Sequence, residues 1–212
     1  KSFNYLENGE VMFSEYDTLK TLTSLDSGSY KITYLEHPEY RVKCEIMDSN
    51  DTIKAHSYPD KNKINLLFES FFNNKVIDKM SSMGYHHKVG LLFYGKEGCG
   101  KTSIMKYYCN KYIKSHNALV FYMNMESHKL NTCWEFIMKI RKIQNNPIFI
   151  IFDEIDILIE DKQESNLKHI LDGNLSKILT FSSGLPRIQS NVVNKFKMLL
   201  SQPERLEILN PF

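Results

Sequence analysis

An α/β protein built on a parallel sheet with helices on both faces is the fold class this sequence predicts, and three observations carry it. Apolar, strand-like runs alternate with stretches of helical period from about residue 65 onward. A glycine-rich segment, Gly95-Lys96-Glu97-Gly98-Cys99-Gly100-Lys101-Thr102-Ser103, stands between one such run and one such helix. The run Ile148 to Phe152 ends in Asp153-Glu154-Ile155-Asp156. Continuous apolar strands joined by helices imply a sheet buried on both faces, the arrangement that parallel sheets require.

Residues 1–57 read differently from the rest. Tyr30-Lys31-Ile32-Thr33-Tyr34 and Tyr40-Arg41-Val42-Lys43-Cys44-Glu45-Ile46 alternate apolar and polar side chains around Pro38, which predicts a small antiparallel sheet. Asp48-Ser49-Asn50-Asp51 and Ser57-Tyr58-Pro59-Asp60 are turn clusters and set the boundary of a β-rich amino-terminal segment, 1–57, ahead of a main domain, 58–212. A helix is expected from Asn65 to Met80, with Leu66, Leu67, Phe71, Val76, Ile77 and Met80 on its apolar side. A strand follows from Val89 to Tyr94, then a helix from Lys101 to about Ser115, a strand from Ala118 to Met123, a helix from Thr132 to Gln144 and the strand Ile148 to Phe152. Beyond Asp156 the pattern weakens: Lys168 to Leu171 and Val192 to Leu200 read as helical and Lys177 to Phe181 as a short strand.

The glycine-rich segment carries the chemistry. Its spacing, Gly95-x4-Gly100-Lys101-Thr102, matches the phosphate-binding loop of nucleoside triphosphatases, and it has the strand before and helix after that the mechanism needs. Such a loop turns its backbone N–H groups inward around phosphate oxygens, which requires backbone angles that glycine adopts freely. A helix beginning at Gly100 directs its positive end at the phosphates. Lys101 then reaches the β and γ phosphates, and the Thr102 hydroxyl is placed for Mg²⁺.

Fifty-two residues after Lys101, the second feature brings negative charge to the carboxyl edge of the sheet, where the phosphates would sit. Asp153 is the expected Mg²⁺ ligand, through water. Glu154 is the expected base for the attacking water, a role worth ~10²–10⁴-fold in rate. An arginine-rich lid of the kind a nucleotide kinase needs is a poor match, because Arg41, Arg141, Arg187 and Arg205 are the only arginines among 27 basic residues.

Loop, interval and acidic strand end together resemble the AAA family of ATPases. From about Leu66 to Asp156 the sequence looks most like the Bcs1-type branch, on the strength of Gly90-Leu91-Leu92-Phe93-Tyr94-Gly95. The resemblance implies further roles. Asn124, at the end of the second strand, would contact the catalytic glutamate. Ser182 or Ser183 would serve as the polar sensor of the fourth strand. Arg187, ahead of Arg205, would reach the γ-phosphate of a neighbouring subunit. About 56 residues follow Asp156, too few for the usual remaining strands and a four-helix lid, so a short or reduced carboxyl-terminal lid is expected.

Composition bounds the rest. A net charge of +2 gives no global basic field for nucleic acid. Cys44, Cys99, Cys109 and Cys133 show no CxxC spacing, which fits a reducing interior, a cytoplasmic setting and no zinc site. His86 and His87 are expected in a loop or at the surface. No apolar run approaches the ~20 residues of a membrane span. The lysine- and asparagine-rich bias suggests an AT-rich source such as a large DNA virus. The expected function is ATP binding and hydrolysis with Mg²⁺ in a homo-oligomeric ring that remodels a partner, a protein more than a nucleic acid. Two alternatives remain: a nucleic-acid motor, using the basic cluster Lys139-Ile140-Arg141-Lys142, and a catalytically weak nucleotide switch. The aromatic residues of the amino-terminal segment could form a docking face or its core.

Overall fold

The structure is a computed structural model that describes residues 3–5, 10–13, 20–35, 41–47, 61–96, 98–123, 130–153, 178–184 and 206–209. Its elements are β1 (Phe3–Tyr5), β2 (Glu10–Phe13), β3 (Lys20–Leu22), β4 (Gly28–Leu35), β5 (Arg41–Ile46), α1 (Lys61–Phe72), α2 (Asn74–Ser82), β6 (Lys88–Tyr94), α3 (Lys101–His116), β7 (Leu119–Met123), α4 (Leu130–Ile143), β8 (Ile148–Phe152), β9 (Ile178–Gly184) and β10 (Leu206–Leu209).

The ten strands among the described residues form one mixed sheet in the order β10-β6-β9-β8-β7-β4-β5-β2-β1-β3. The six strands from β10 to β4 pair in parallel. The remaining pairs, β4 with β5, β5 with β2, β2 with β1 and β1 with β3, are antiparallel. The chain crosses from β6 over β9 and β8 to β7, then turns back to β8. Because parallel crossovers keep one hand, reversing direction puts the two connecting helices on opposite faces. Side-chain packing agrees. Ile104, Met105, Tyr108, Cys109 and Tyr112 of α3 pack with Ile64, Phe68 and Phe71 of α1 against Leu91, Phe93, Val120, Phe149 and Ile151. Trp134, Phe136, Ile137 and Ile140 of α4 pack on Leu92, Leu119, Phe121, Met123, Ile148, Ile150 and Phe152. Each central strand thus alternates between two cores, which explains why its sequence is apolar throughout.

The sheet does not stop at β7. Strand β4 lies parallel beside it, Gly28 opposite Leu119 and Ile32 opposite Met123. Tyr30, Ile32, Val42 and Cys44 share the core under α4. At the other end of α4, Gln144 takes the Leu25 amide on its side-chain oxygen at 2.7 Å and donates to the Leu25 carbonyl at 3.1 Å. The aromatic Tyr30 is therefore core, tilted against Phe121 with ring centres 5.7 Å apart.

Local chemistry explains the departures from expectation. The single helix expected over 65–80 is two, because Asn73 takes an extended conformation and its side chain accepts from the Lys75 amide at 3.0 Å, capping a new start. The fourth parallel strand runs from Ile178 to Gly184, past the expected end at Phe181. Strand β10 was not expected at all; only four residues long, it is specified by pairing with β6. The helices expected at 168–171 and 192–200 lie outside the described residues. Of the two histidines, His86 is exposed but His87 is buried. His87 stacks on Phe71 at 4.5 Å and donates from Nε2 to the Phe71 carbonyl. Among the described residues, no helix is long and apolar enough to cross a membrane.

Candidate nucleotide site

Strand β6 delivers the glycine-rich loop at the carboxyl edge of the sheet. Gly98 and Gly100 have φ of 72° and 90°, left-handed values at which a side chain would be strained. Nothing lies within 4 Å of where a Cβ would sit on Gly98, so backbone angle rather than crowding calls for glycine there. Gly100 is the N-cap of α3 and offers no side-chain cap. The first helical amides, whose carbonyl partners do not exist within the helix, are thus left for an external acceptor. Helix formation begins at once, with the Ile104 amide on the Gly100 carbonyl at 3.0 Å.

Lys101 reaches back across this loop. Its ammonium donates to the Gly95 carbonyl at 2.8 Å and to the Lys96 carbonyl at 2.9 Å, with Cys99 Sγ at 3.8 Å. A long cationic side chain is thereby held inside the loop instead of extending into solvent. Lys96, Gly98 and Ser103 are exposed, Cys99, Gly100, Lys101 and Thr102 half-buried and Gly95 buried.

The acidic strand end meets the loop from two strands away. Asp153 follows directly on β8, and both its oxygens lie 3.4 Å from Thr102 Oγ1. Two residues 51 apart in sequence are thus brought into contact, because β9 alone separates β6 from β8. A hydroxyl and a carboxylate side by side form a hard oxygen donor set, of the kind Mg²⁺ selects. This pair, the inward lysine and the uncapped helix start fit a magnesium-bound triphosphate chemically.

Other expected site residues are only partly placed. Glu97, Asn124, Glu154, Arg187 and Arg205 lie outside the described residues. Ser182 pairs with Phe152 and Leu92, so Ser183, one residue on and opposite Phe93, shares a register row with Asp153. The basic cluster of α4 is not a continuous solvated face. Ile140 is fully buried, Lys139 and Arg141 are half-buried, and burial pulls the Arg141 guanidinium down to about 10. The cluster also sits at the carboxyl end of α4, beside Gln144 and the amino ends of the strands, away from the loop.

The four cysteines are free. Burial pushes the thiols of Cys44 and Cys109 up strongly and that of Cys133 up to about 11. Cys99, in the loop, is the half-exposed one.

Comparison with known proteins agrees with this geometry. Residues 91–196, half of the chain, match the family described as "ATPase family associated with various cellular activities (AAA)". A protein of Acanthamoeba polyphaga mimivirus described as uncharacterized protein R776 is 26% identical over 152 residues, covering 72% of this chain and 44% of that protein. The chain therefore spans less than half the length of that relative. Among solved structures, C. elegans PCH-2 is similar with a TM-score of 0.51 at 13% identity, covering 72% of this chain and 43% of that one. The Aeropyrum pernix ORC1 protein, solved in complex with DNA, has a TM-score of 0.47 at 14% identity, covering 77% and 48%. At 13% identity, the PCH-2 likeness bears on fold alone.

Proposed function

Because this chain belongs to the AAA family of ATPases, we propose that it binds ATP with Mg²⁺ at residues 95–103, hydrolyses it, and uses the cycle to remodel or move a macromolecular partner. The observation that supports this most strongly is the approach of Thr102 Oγ1 to both Asp153 oxygens at 3.4 Å, beside a loop that already holds Lys101 inward. In this reading residues 58–212 are the ATPase unit and 1–57 a β-rich wing.

Each residue has a definite task. Amides of residues 98–103 and the start of α3 take the phosphate oxygens, with no reorganisation needed where φ is already positive. Lys101 exchanges its two carbonyl partners for phosphate oxygens. Thr102 and Asp153 hold Mg²⁺, which when bound neutralises charge on the phosphate oxygens. Glu154 accepts the proton of the attacking water, and Asn124 holds Glu154 in place. Arg187 of one subunit reaches the site of the next, a contribution of ~10³–10⁵ in rate for such residues, which makes a ring of identical subunits the working form.

A protein partner fits better than nucleic acid. An accessible basic track is what gives nucleic-acid binding its strength, and the α4 cluster is interrupted by a buried isoleucine and a half-buried arginine.

The loop assignment is tested by Lys101→Ala. Removing a charge-assisted contact to two phosphates should weaken ATP binding ~100-fold in a fluorescent-nucleotide titration, with the fold intact by circular dichroism. Unchanged affinity would mean that residues 95–103 do not hold the triphosphate.

A further inference from the structure

The turn between α2 and β6 brings two soft electron-pair donors face to face. His87 is buried, stacked on Phe71 with ring centres 4.5 Å apart, and its Nε2 lies on the Phe71 carbonyl. A carbonyl only accepts, so Nε2 carries the proton. Burial favours the neutral ring, in which Nδ1 is then a bare lone pair. That lone pair meets Met80 Sδ at 3.4 Å, and a thioether has no proton to give. In the neutral ring, nitrogen and sulfur thus stand at contact distance with no hydrogen between them.

Local backbone geometry fixes this meeting. Helix α2 ends at Ser82, and the Met83 amide turns back to the Lys79 and Met80 carbonyls. Gly84 is left-handed, with φ of 76°, and the Tyr85 amide returns to the Met80 carbonyl at 2.9 Å. The chain therefore doubles back over the last turn of α2 and sets His87 against Met80. A helix carboxyl end carries partial negative charge, which favours a cation beside it. Met83, three residues after Met80, shares that side of the helix end and is 59% exposed, which puts a second thioether within reach from solvent.

The spacing suits a shared ion. Bonds of ~2.0 Å to nitrogen and ~2.3 Å to sulfur span 3.4 Å at an angle of about 105°, close to tetrahedral. Met80 is half-buried and unbranched, so its thioether can adjust around an ion entering from the solvent side. Thioether and neutral imidazole are soft, uncharged ligands. They select copper(I) and serve magnesium or calcium poorly.

We propose that Met80 and His87, joined by Met83, form a binding site for one soft monovalent cation of the copper(I) class. The site lies at the amino end of β6, opposite the end that delivers the glycine-rich loop. Its occupancy is independent of the ATPase reading.

The test is a titration of the full chain with silver(I), a redox-stable substitute for copper(I), in chloride-free buffer after Cys99 has been alkylated. Methionine methyl and histidine ring signals are followed by NMR. The Met80 and Met83 methyls and the His87 ring should shift together and saturate at a single equivalent, while zinc(II) at the same concentration leaves them in place. Met80→Leu conserves volume, so its thermal midpoint should stay near wild type. Loss of the ligand should weaken the silver response of His87 at least ~10-fold. His86→Gln, at an exposed neighbour, should leave the response intact. Met80 signals that stay put under excess silver overturn the proposal and leave the contact as an N–H···S bond from a charged His87. An undiminished His87 shift in Met80→Leu, an equal response to zinc, or a response abolished by His86→Gln overturns it as well.

Discussion

Lys101, Thr102 and Asp153 show how little the local sequence must specify for a candidate nucleotide site to be assembled. Gly98 and Gly100, both left-handed, curl the loop, one lysine folds back on two carbonyls, and the sheet brings a carboxylate to a hydroxyl 51 residues away. Cys99 reports on this loop directly. It is half-exposed, whereas Cys44, Cys109 and Cys133 are buried with thiols pushed upward. Since thiolate and access together govern alkylation, iodoacetamide at mildly alkaline pH should label Cys99 first, and ATP with Mg²⁺ should slow that labelling at least ~5-fold, as read by peptide mass spectrometry. Equal labelling of Cys133 would show that its cover under α4 is open. The loop and the acidic strand end were legible in the sequence because each is a contiguous signature with a fixed mechanical reason. His86 and His87 both lie in the loop ahead of β6, as expected, but the burial of His87 was not legible, because only packing against Phe71 and Met80 reveals which of the pair turns in.

At the scale of elements, helix α1 is what closes the face of the phosphate loop. Phe68 is fully buried, with ring centres 4.8 Å from Tyr108, 4.4 Å from Tyr112 and 5.9 Å from Phe149. It thus joins α1 to α3, the helix that begins at the glycine-rich loop, and to β8, the strand that Asp153 follows. Replacing Phe68 by alanine removes most of that contact and should cost about 3–5 kcal/mol in urea unfolding. A loss below about 1 kcal/mol would show that the cluster repacks and that α1 does not brace the loop. The central elements from β6 to β8 were legible to within two residues, since every strand is a continuous apolar run and every helix has a clear period. The break at Asn73 was hidden because the apolar period continues through it; a single side-chain cap, not a change of pattern, separates α1 from α2. Strand β10 was hidden because four residues carry no period, and its pairing with β6 is a long-range choice.

The whole molecule is organised around one mixed sheet, and the amino-terminal strands share it. Parallel pairing of β4 with β7 and the two hydrogen bonds of Gln144 to Leu25, across 119 residues, fasten the wing at both the edge and the base. The sequence reads as two regions because the hydrophobic pattern changes from alternating to continuous at about residue 60, which reflects a solvated face on β4 and β5 rather than a gap in the core. Lys31 is exposed and Lys43 pairs with Glu45 at 2.8 Å on that face, while Ile32 and Cys44 are fully buried on the other. Family membership, the glycine-rich loop and the carboxylate of Asp153 beside it support the proposed cycle of ATP binding and hydrolysis. The most direct test is phosphate release by the wild-type protein beside Glu154→Gln, with bound nucleotide quantified in both. A glutamate base at this site predicts Mg²⁺-dependent turnover in the wild type and a loss of ~10²–10⁴-fold in the variant, with ATP still bound. Wild-type turnover in Glu154→Gln, or stoichiometric ATP on the wild-type protein with no phosphate released, would contradict it.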